Sequence, residues 1–245
     1  MNSSRHAVAL SGGKDSTALA LRLAEVEPRD YDYICTPTGD ELPEMFAHWR
    51  NLGELLGKRI TPIMHHTGLK GVIREQKMLP NFRARFCTRI LKIEPYRAWL
   101  AANRPVVSYV GLRADEEGRA GGAYSDIPGV QMRFPLREWG WTVTDVWAYL
   151  DKRGVSIPRR TDCARCYHQR IGEWWTLWRE HPDLWADAER DEAEIGATYR
   201  SPGRDTWPVA LKDLRAEFES GRLPRSVKET SNGLRDAGAC RVCTL

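Results

Sequence analysis

The stretch ALSGGKDSTALALRLAE, residues 9–25, joins the end of a short apolar run to the start of a helical pattern. The apolar run, residues 6–10, is partly β-branched and predicts a strand, whereas alanine and leucine recur at helical spacing over residues 17–26. Ligands of open parallel sheets bind beyond the carboxyl ends of the strands. The hexapeptide SGGKDS, residues 11–16, lies at such an end, so we expect it to form a ligand-binding loop.

Each residue type in this loop suits a phosphate chain. Gly12 and Gly13 let the backbone turn sharply and bring N–H groups close to an anion, and Lys14 adds a mobile, exposed positive charge. Asp15 or Ser16 is expected to cap the following helix, whose N-terminus favours negative charge. The spacing differs from the Walker and G-x-G-x-x-G patterns. Gly-Gly alone would be a weak signal, but the full hexapeptide between a strand and a helix is a strong one, which disfavours a turn without a ligand.

The rest of the N-terminal sequence alternates strands with helices. Apolar runs predict strands at residues 31–38, 59–66, 106–113 and 132–136, and helical spacing predicts helices at residues 43–56, 69–77, 87–102 and 142–153, with Pro95 as a kink. Such alternation implies an α/β fold with a parallel sheet and right-handed crossovers. After Pro158 the chain has a C-A-R-C motif, five tryptophans and no convincing strand, so we expect one domain at residues 1–158 and a helical region at 159–245.

Composition narrows the class of protein. The chain has 245 residues, of which 42% are hydrophobic and 29% charged, and no apolar run approaches the roughly 18 residues of a membrane span. The N-terminus lacks the apolar segment of a signal peptide, so we expect a cytoplasmic protein that makes no membrane contact. The net charge of +4 permits a polyanionic partner without requiring one.

The six cysteines include two C-x-x-C pairs, Cys163 with Cys166 and Cys240 with Cys243. In a cytoplasmic chain, two such pairs favour a metal site over disulfides and over buried or free thiols. A zinc site with four thiolates would use both pairs and leave Cys87 over, whereas a [4Fe–4S] cluster also takes four thiolates.

Basic residues crowd the stretch around Cys87. They form either a solvated helix face or a cationic pocket for phosphate or sulfate. We expect four cations to converge on one anionic ligand, because their two loops open at the same edge of the sheet. These are Arg89 and Lys92 from this stretch, and Arg113 and Arg119 from the loop after the fourth strand.

Two groups of apolar residues are expected in the core. Trp174, Trp175, Trp178 and Trp185 recur at helical spacing, which is typical of the core of a small helical region, with stacking on exposed bases as the alternative. Cys35 lies within an apolar strand and is expected to be buried.

The hexapeptide resembles the pyrophosphate loop of the ATP pyrophosphatase (PP-loop, adenine nucleotide alpha hydrolase-like) superfamily, specifically its phosphoadenosine phosphosulfate (PAPS) reductase-like branch. Four further stretches resemble the branch in the same order: TGDELPE at 38–44, CTRILKIEP at 87–95, GLRADEEGR at 111–119 and PLREWGWTVTDVWAYL at 135–150. The resemblance implies a Rossmann-like parallel sheet flanked by helices, the PP-loop fold, with a small, mainly helical C-terminal part rich in Cys and Trp.

The resemblance also implies an activity. The enzyme would bind ATP or a related adenylyl nucleotide, split it between the α and β phosphates, and activate a nucleotide or nucleic-acid acceptor for sulfur or nitrogen transfer. Lys14 would offset the charge of the departing pyrophosphate, and Asp15 or Asp40 would hold Mg²⁺. The implied nucleotide site comprises Ser11, Gly12, Gly13, Lys14, Asp15, Ser16, Thr38, Gly39, Gly111 and Arg113.

Related enzymes pair a thiol at the central helix with a later C-x-x-C, so the resemblance favours a [4Fe–4S] cluster over zinc. On that pattern Cys87, Cys163 and Cys166 are ligands, and Cys243, or alternatively Cys240, supplies the fourth thiolate.

Two other functions remain open. Sulfonucleotide (PAPS or adenylylsulfate) reduction is the first, although this chain ends CRVCTL where PAPS reductases resemble one another in a Glu-Cys-Gly-Leu-His tail. The second is a non-catalytic module that grips nucleic acid with a zinc knuckle, which the intact Lys14 and Asp15 disfavour. Assembly as a homodimer is also left open.

Overall fold

A computed structural model describes residues 4–119 and 124–229. Its centre is a five-stranded sheet in which every pairing is parallel, in the order β3-β2-β1-β4-β5. The strands are β1 (Arg5–Ala9), β2 (Tyr31–Cys35), β3 (Thr61–Pro62), β4 (Val106–Tyr109) and β5 (Val130–Arg133). The predicted α/β fold with a parallel sheet is confirmed. The strand order reverses between β1 and β4, which opens a crevice at the loop that follows β1.

Eleven α-helices connect and follow the strands in the described residues. They are α1 (Lys14–Val26), α2 (Pro43–Leu55), α3 (Gly68–Gln76), α4 (Phe86–Thr88), α5 (Glu94–Ala102), α6 (Pro135–Glu138), α7 (Val143–Lys152), α8 (Ile171–Glu180), α9 (Pro182–Ile195), α10 (Leu211–Glu219) and α11 (Arg225–Glu229).

Both faces of the sheet are buried, because alternate residues of each strand point to opposite sides. Val8 of β1 packs into one cluster with residues of α1 and α7, whereas its neighbours Ala7 and Ala9 pack into another with Tyr96 of α5. Cys35 lies in the first cluster, where burial raises the pKa of its thiol to about 12. Its expected place in the core is confirmed.

Three elements differ in extent from the prediction. β3 has two residues instead of the predicted 59–66. β5 ends at Arg133 because Pro135 begins helix α6. α1 begins at Lys14 with Gly13 as its N-cap, so neither Asp15 nor Ser16 caps the helix.

The predicted helix over residues 87–102 contains a π-helical turn. Helix α4 continues into the π-helical segment Arg89–Ile93 and then into α5. Pro95 lacks the N–H that would bond the carbonyl four residues earlier. The wider turn, in which the Glu94 N–H bonds the Arg89 carbonyl, accommodates the proline. Such turns are frequent at functional sites, and this one carries Lys92.

Helices α8, α9 and α10 form a helical region around a tryptophan-rich core. Trp174 and Trp185 are buried, and Trp175 and Trp178 pack against the same cluster, which confirms the tryptophans as core residues. The cluster also contains Leu69 of α3, so residues on both sides of position 158 share one hydrophobic core. The domain boundary near that position stays a prediction.

Within the described ranges, none of the helices combines the length and the apolarity needed to cross a bilayer.

Candidate functional site

The loop at residues 11–16 follows β1 and leads into α1. Gly12 has a φ of +84°, in the left-handed region that favours glycine. A Cβ atom at this position would lie 2.5 Å from Met45 Cε and 2.6 Å from Trp49 Nε1, both on α2. The close approach of α2 therefore requires glycine here, and it brings the Trp49 indole against the loop.

Two serine hydroxyls hold the loop in shape. The Gly12 N–H donates to Ser16 Oγ (3.1 Å), and the Gly13 N–H donates to Ser11 Oγ (3.3 Å). The two hydroxyl oxygens are 3.0 Å apart and also bond one another. The glycine N–H groups, expected to face an anion, thus point at hydroxyls that a ligand oxygen would replace or join.

Lys14, Asp15 and Arg113 form a compact charge cluster. Lys14 Nζ and Arg113 Nη1 both donate to Asp15 Oδ2, at 3.1 and 2.9 Å. The expectation that Lys14 is exposed is wrong. The residue is 1% exposed, because its side chain folds back onto Asp15 inside the crevice. The second oxygen, Asp15 Oδ1, is buried and has no hydrogen-bond partner in the described part of the chain.

The loop after β4 closes against the start of α1. A Cβ atom on Gly111 would lie 3.1 Å from the backbone of Asp15 and Ser16, tighter than an ordinary contact, so glycine favours this close approach. The approach delivers Arg113, whose Nε donates to Asp115 Oδ1 at 2.8 Å. Burial alone would lower the pKa of the Arg113 guanidinium, but the charge of Asp15 and the hydrogen bonds to Asp15 and Asp115 outweigh it and raise that pKa.

The other three predicted anion-binding cations lie in different surroundings. Arg119 Nη1 donates to Glu116 Oε1 at 2.5 Å, and Arg113 lies 3.7 Å from the same carboxylate. Arg89 is at the surface, 60% exposed and paired with Glu94. Lys92 lines a pocket beside the loop. The structure thus brings Arg113 and Arg119 together around Glu116, and places Arg89 away from them on the exposed side of its helix.

Lys92 borders two neighbouring pockets. The first lies at the carboxyl edge of the sheet, and its lining residues are Leu10, Ser11, Thr36, Glu41, Trp49, Lys92 and Thr161. The second contains the cysteines described below. We call them the strand-edge pocket and the thiol pocket.

The predicted nucleotide contacts at Thr38 and Gly39 are occupied by a side chain of the same loop. Glu41 Oε1 accepts from the N–H and the hydroxyl of Thr38 (both 2.7 Å), and Oε2 accepts from the Gly39 N–H (3.0 Å). The carboxylate therefore stands where an oxygen of an anionic ligand would accept these hydrogen bonds.

Asp40, a predicted catalytic and Mg²⁺-binding residue, is buried in an ion pair with Arg165. Arg165 Nε donates to Asp40 Oδ2 at 2.9 Å, Nη2 donates to Oδ1, and Nη1 donates to Asp191 Oδ2 at 2.6 Å. The Tyr199 hydroxyl donates to the same Asp191 oxygen at 2.8 Å. Burial alone would lower the pKa of Arg165, but the hydrogen bonds and charge of Asp40 raise it.

Three predicted thiol ligands come together. Cys87, Cys163 and Cys166 all line the thiol pocket and are free cysteines. The loop that carries Cys163 and Cys166 is joined to the loop after β2 by a β-bridge between Glu41 and Cys163. Within the described ranges, no group of three or more His, Cys, Asp or Glu side chains is arranged to hold a metal ion. Cys240 and Cys243, the predicted fourth ligand, lie outside the described residues.

Two contributors to the site were missed at the sequence level. Arg165 lies inside the C-A-R-C motif, which is a visible signal, but its partners Asp40 and Asp191 are remote in sequence and could not be paired with it. Trp49 gave no signal beyond its place in a helical stripe, yet its indole N–H is buried against the loop with no partner among the described residues.

The sequence is similar to known proteins over most of its length. The family model of the phosphoadenosine phosphosulfate reductase domain matches residues 5–164. An uncharacterized protein of Methanocaldococcus jannaschii is 24% identical over 218 residues, which are 82% of this chain and 45% of that protein. The chain therefore spans about half the length of the curated relative that it matches. A crystal structure of phosphoadenylyl-sulfate (PAPS) reductase from Candida auris, in a phosphate complex, is similar with a TM-score of 0.48 and 15% identity, over 64% of this chain and 76% of that one.

Proposed function

Because the chain belongs to the phosphoadenosine phosphosulfate reductase domain family, we propose that it is an enzyme that binds ATP or a related adenylyl nucleotide and splits it between the α and β phosphates. The adenylate would activate an oxygen of a nucleotide or nucleic-acid acceptor for replacement by sulfur or nitrogen. One observation carries the proposal: Asp15 stands between two cations at the carboxyl edge of the sheet, with one buried oxygen that has no partner in the described residues.

Lys14 and Arg113 supply the positive charge that this reaction needs. Both already converge on one carboxylate oxygen, at 3.1 and 2.9 Å, so a phosphate oxygen that arrives beside Asp15 meets two charged donors. Their burial strengthens the stabilisation of negative charge that develops on the departing pyrophosphate. The glycine N–H groups at residues 12 and 13 add neutral donors to the same loop.

Mg²⁺ fits Asp15 better than Asp40. The ion prefers oxygen ligands, and Asp15 Oδ1 is a buried carboxylate oxygen that no described donor uses. Both oxygens of Asp40 accept hydrogen bonds from Arg165. A bound Mg²⁺ would neutralise the phosphates of the nucleotide. We therefore assign the metal to Asp15 and a positioning role to Asp40.

We propose that the thiol pocket takes a thiolate-bound group, although its three described cysteines are not by themselves arranged as a metal site. Cys87, Cys163 and Cys166 supply three of the four thiolates that a [4Fe–4S] cluster or a zinc site takes, with Cys243 or Cys240 as the fourth. The cluster is favoured over zinc by the resemblance to enzymes that pair a thiol at the central helix with a later C-x-x-C. When bound, such a cluster would supply electron transfer or a point of attachment for sulfur.

The nucleotide assignment is tested by Lys14→Met and Asp15→Asn, which keep the size of each side chain. We expect each to lower pyrophosphate release from ATP by about 100-fold or more, because Lys14→Met removes a positive charge that stabilises the departing pyrophosphate and Asp15→Asn weakens the proposed Mg²⁺ ligand. The matched control is Lys58→Met, which removes an exposed lysine remote from the loop. A circular dichroism spectrum and a melting temperature like those of the wild type would show that the fold is intact. Full activity in Lys14→Met would contradict the assignment of residues 11–16 as the pyrophosphate-binding loop.

The cluster assignment is tested by metal analysis of protein purified without oxygen. We expect about four iron atoms per chain, and their loss in Cys163→Ser but not in Cys35→Ala, which removes a core thiol that does not line the pocket. Iron-free protein with one zinc from iron-replete cells would overturn the cluster.

Sulfonucleotide reduction is the second candidate, and the three free thiols that line one pocket favour it. Sulfite release from PAPS in the presence of a dithiol reductant, without pyrophosphate release from ATP, would select this reaction over the first.

A further inference from the structure

Phe82 is an exposed aromatic side chain held in a fixed position. It is 51% exposed and lies in a tight turn, in which Asn81 Oδ1 accepts from the N–H groups of Arg83 and Ala84, both at 3.0 Å. The backbones of Asn81 and Ala84 also bond each other in both directions, at 3.2 Å. The turn therefore presents a large apolar ring to solvent at little further cost in conformational entropy on binding.

The ring lies beside the thiol pocket. It makes edge-to-face contacts with Tyr167, which lines that pocket, and with His168, at centroid distances of 5.2 and 4.7 Å. The Arg204 guanidinium carbon lies 5.9 Å from the ring centroid. Arg204 is itself fixed by bonds to the carbonyls of Tyr167 (3.2 Å) and His168 (3.0 Å). The ring and the planar cation are thus anchored to the loop that carries the C-x-x-C motif.

The stretch of sequence that carries this ring is basic, whereas the thiol pocket beside it is lined by Asp162 as well as by Lys92 and Arg165. Residues 81–92 carry three arginines and one lysine and no acidic residue. Arg83, next to Phe82, is exposed and makes no ion pair within the residues that the structure describes. A planar ring beside the exposed guanidinium of Arg83 suits a ligand that has flat aromatic rings and negative charge together.

We propose that Phe82, Arg83, His168 and Arg204, which we call the platform, bind single-stranded nucleic acid by stacking an unpaired base on Phe82, so that the strand runs toward the thiol pocket. The proposal rests on the proposed function in that the strand is its acceptor. Stacking on an aromatic ring tolerates any base, and Arg83 meets the phosphates. A single ring is far smaller than a protein–protein interface, and a base pair within a duplex keeps its faces covered by its neighbours.

The test is fluorescence anisotropy with the full chain and labelled single strands of about ten nucleotides, DNA in one arm and RNA in the other. Phe82→Ala should weaken binding about 5- to 100-fold, and Phe82→Trp should restore it, since tryptophan also stacks. Arg83→Gln should weaken binding and reduce its salt dependence. The matched controls are Leu55→Ala, an exposed apolar residue elsewhere, and Arg50→Gln, an exposed arginine on α2; both should bind as the wild type does.

Three results would overturn the platform: unchanged affinity in Phe82→Ala, equal affinity for duplex and single strand, or an equal dependence on Phe82 for inorganic polyphosphate, which has no bases. Calorimetry with ATP separates this proposal from the proposed function. Phe82→Ala should leave ATP affinity unchanged, and an equal loss for ATP would place Phe82 at the ATP site instead. If strands bind through Phe82 but no pyrophosphate is released, the platform stands and the proposed reaction fails.

Discussion

Arg113 shows how one side chain can hold several parts of a site in place. It is 11% exposed and lies within 4 Å of three carboxylates, those of Asp15, Asp115 and Glu116. Asp115 also accepts from the N–H of Val143 at the start of α7. The guanidinium can make these contacts because its donors point in fixed, divergent directions within one plane. A positive charge without that geometry could not contact all three carboxylates at once.

We predict that Arg113→Lys, which keeps the charge, weakens ATP binding about ten- to hundredfold. Lysine cannot reach Asp15 and Asp115 together, and a lost charge-assisted hydrogen bond costs on the order of 1.5–3 kcal/mol. Titration calorimetry with ATP and with PAPS measures the effect, and Arg50→Lys on the exposed face of α2 serves as the control. Unchanged dissociation constants for both ligands would remove Arg113 from the site.

At the scale of elements, Glu192 of α9 fixes the chain that leads into α10. Its Oε1 accepts from the Tyr199 N–H at 2.9 Å, and its Oε2 accepts from the N–H of Leu211, the first residue of α10, at 2.7 Å. The N-cap of α10 is Ala210, which has no side-chain acceptor of its own. A glutamate on one helix therefore satisfies the open N-terminus of another.

Burial raises the pKa of Glu192 to about 7, although the two backbone N–H groups favour the ionised form. Because its pKa in the folded state exceeds the unfolded value of 4.5, the folded protein holds this proton more tightly. The contribution to stability is complete below about pH 4.5 and is lost as the pH rises through about 7. We predict that the unfolding free energy of the wild type falls relative to Glu192→Gln over this range, by on the order of 2–3 kcal/mol. Urea midpoints of both proteins at about pH 4.5 and about pH 8 measure it; a constant difference would contradict the raised pKa.

The sequence predicted those elements whose signal is local. Residues 11–16 lie between β1 and α1 as expected, because strand, glycine turn and helix are each encoded within a few residues. The predicted meeting of Cys87, Cys163 and Cys166 in one pocket came from resemblance, since spacing alone pairs only the last two. The fold of Lys14 back onto Asp15 and the burial of Asp40 were missed, because each depends on a partner brought by tertiary structure.

At the scale of the whole molecule, Arg165 connects the loop after β2 to the helical region. It bonds Asp40, which follows β2, and Asp191 of α9, and all three side chains are almost fully buried. A buried charge that loses its partner is costly, because no water replaces the missing bonds. We therefore expect the loop that carries Cys163 and Cys166 to keep its position only while both carboxylates are paired.

We predict that Arg165→Met lowers the unfolding free energy by about 3–5 kcal/mol, because it leaves two buried carboxylates without their cation. Arg97→Met, which removes the exposed two-bond pair with Asp126, should have little effect. Asp40→Asn added to Arg165→Met should recover part of the loss. Urea denaturation of the four proteins measures this, and equal losses for Arg165→Met and Arg97→Met would show that burial adds nothing to the first pair.

Lys92 borders both pockets, and this shared wall has a thermodynamic consequence. An anion or thiolate in one pocket changes the electrostatic potential at the lysine, and the lysine passes that change to the other pocket. If the proposed nucleotide and the proposed thiol-bound group both bind, linkage requires the effect to be reciprocal: each would change the affinity of the other by the same factor. The ATP dissociation constant, measured by titration, would then differ between the occupied and the empty thiol pocket, without any movement of the backbone between the two pockets.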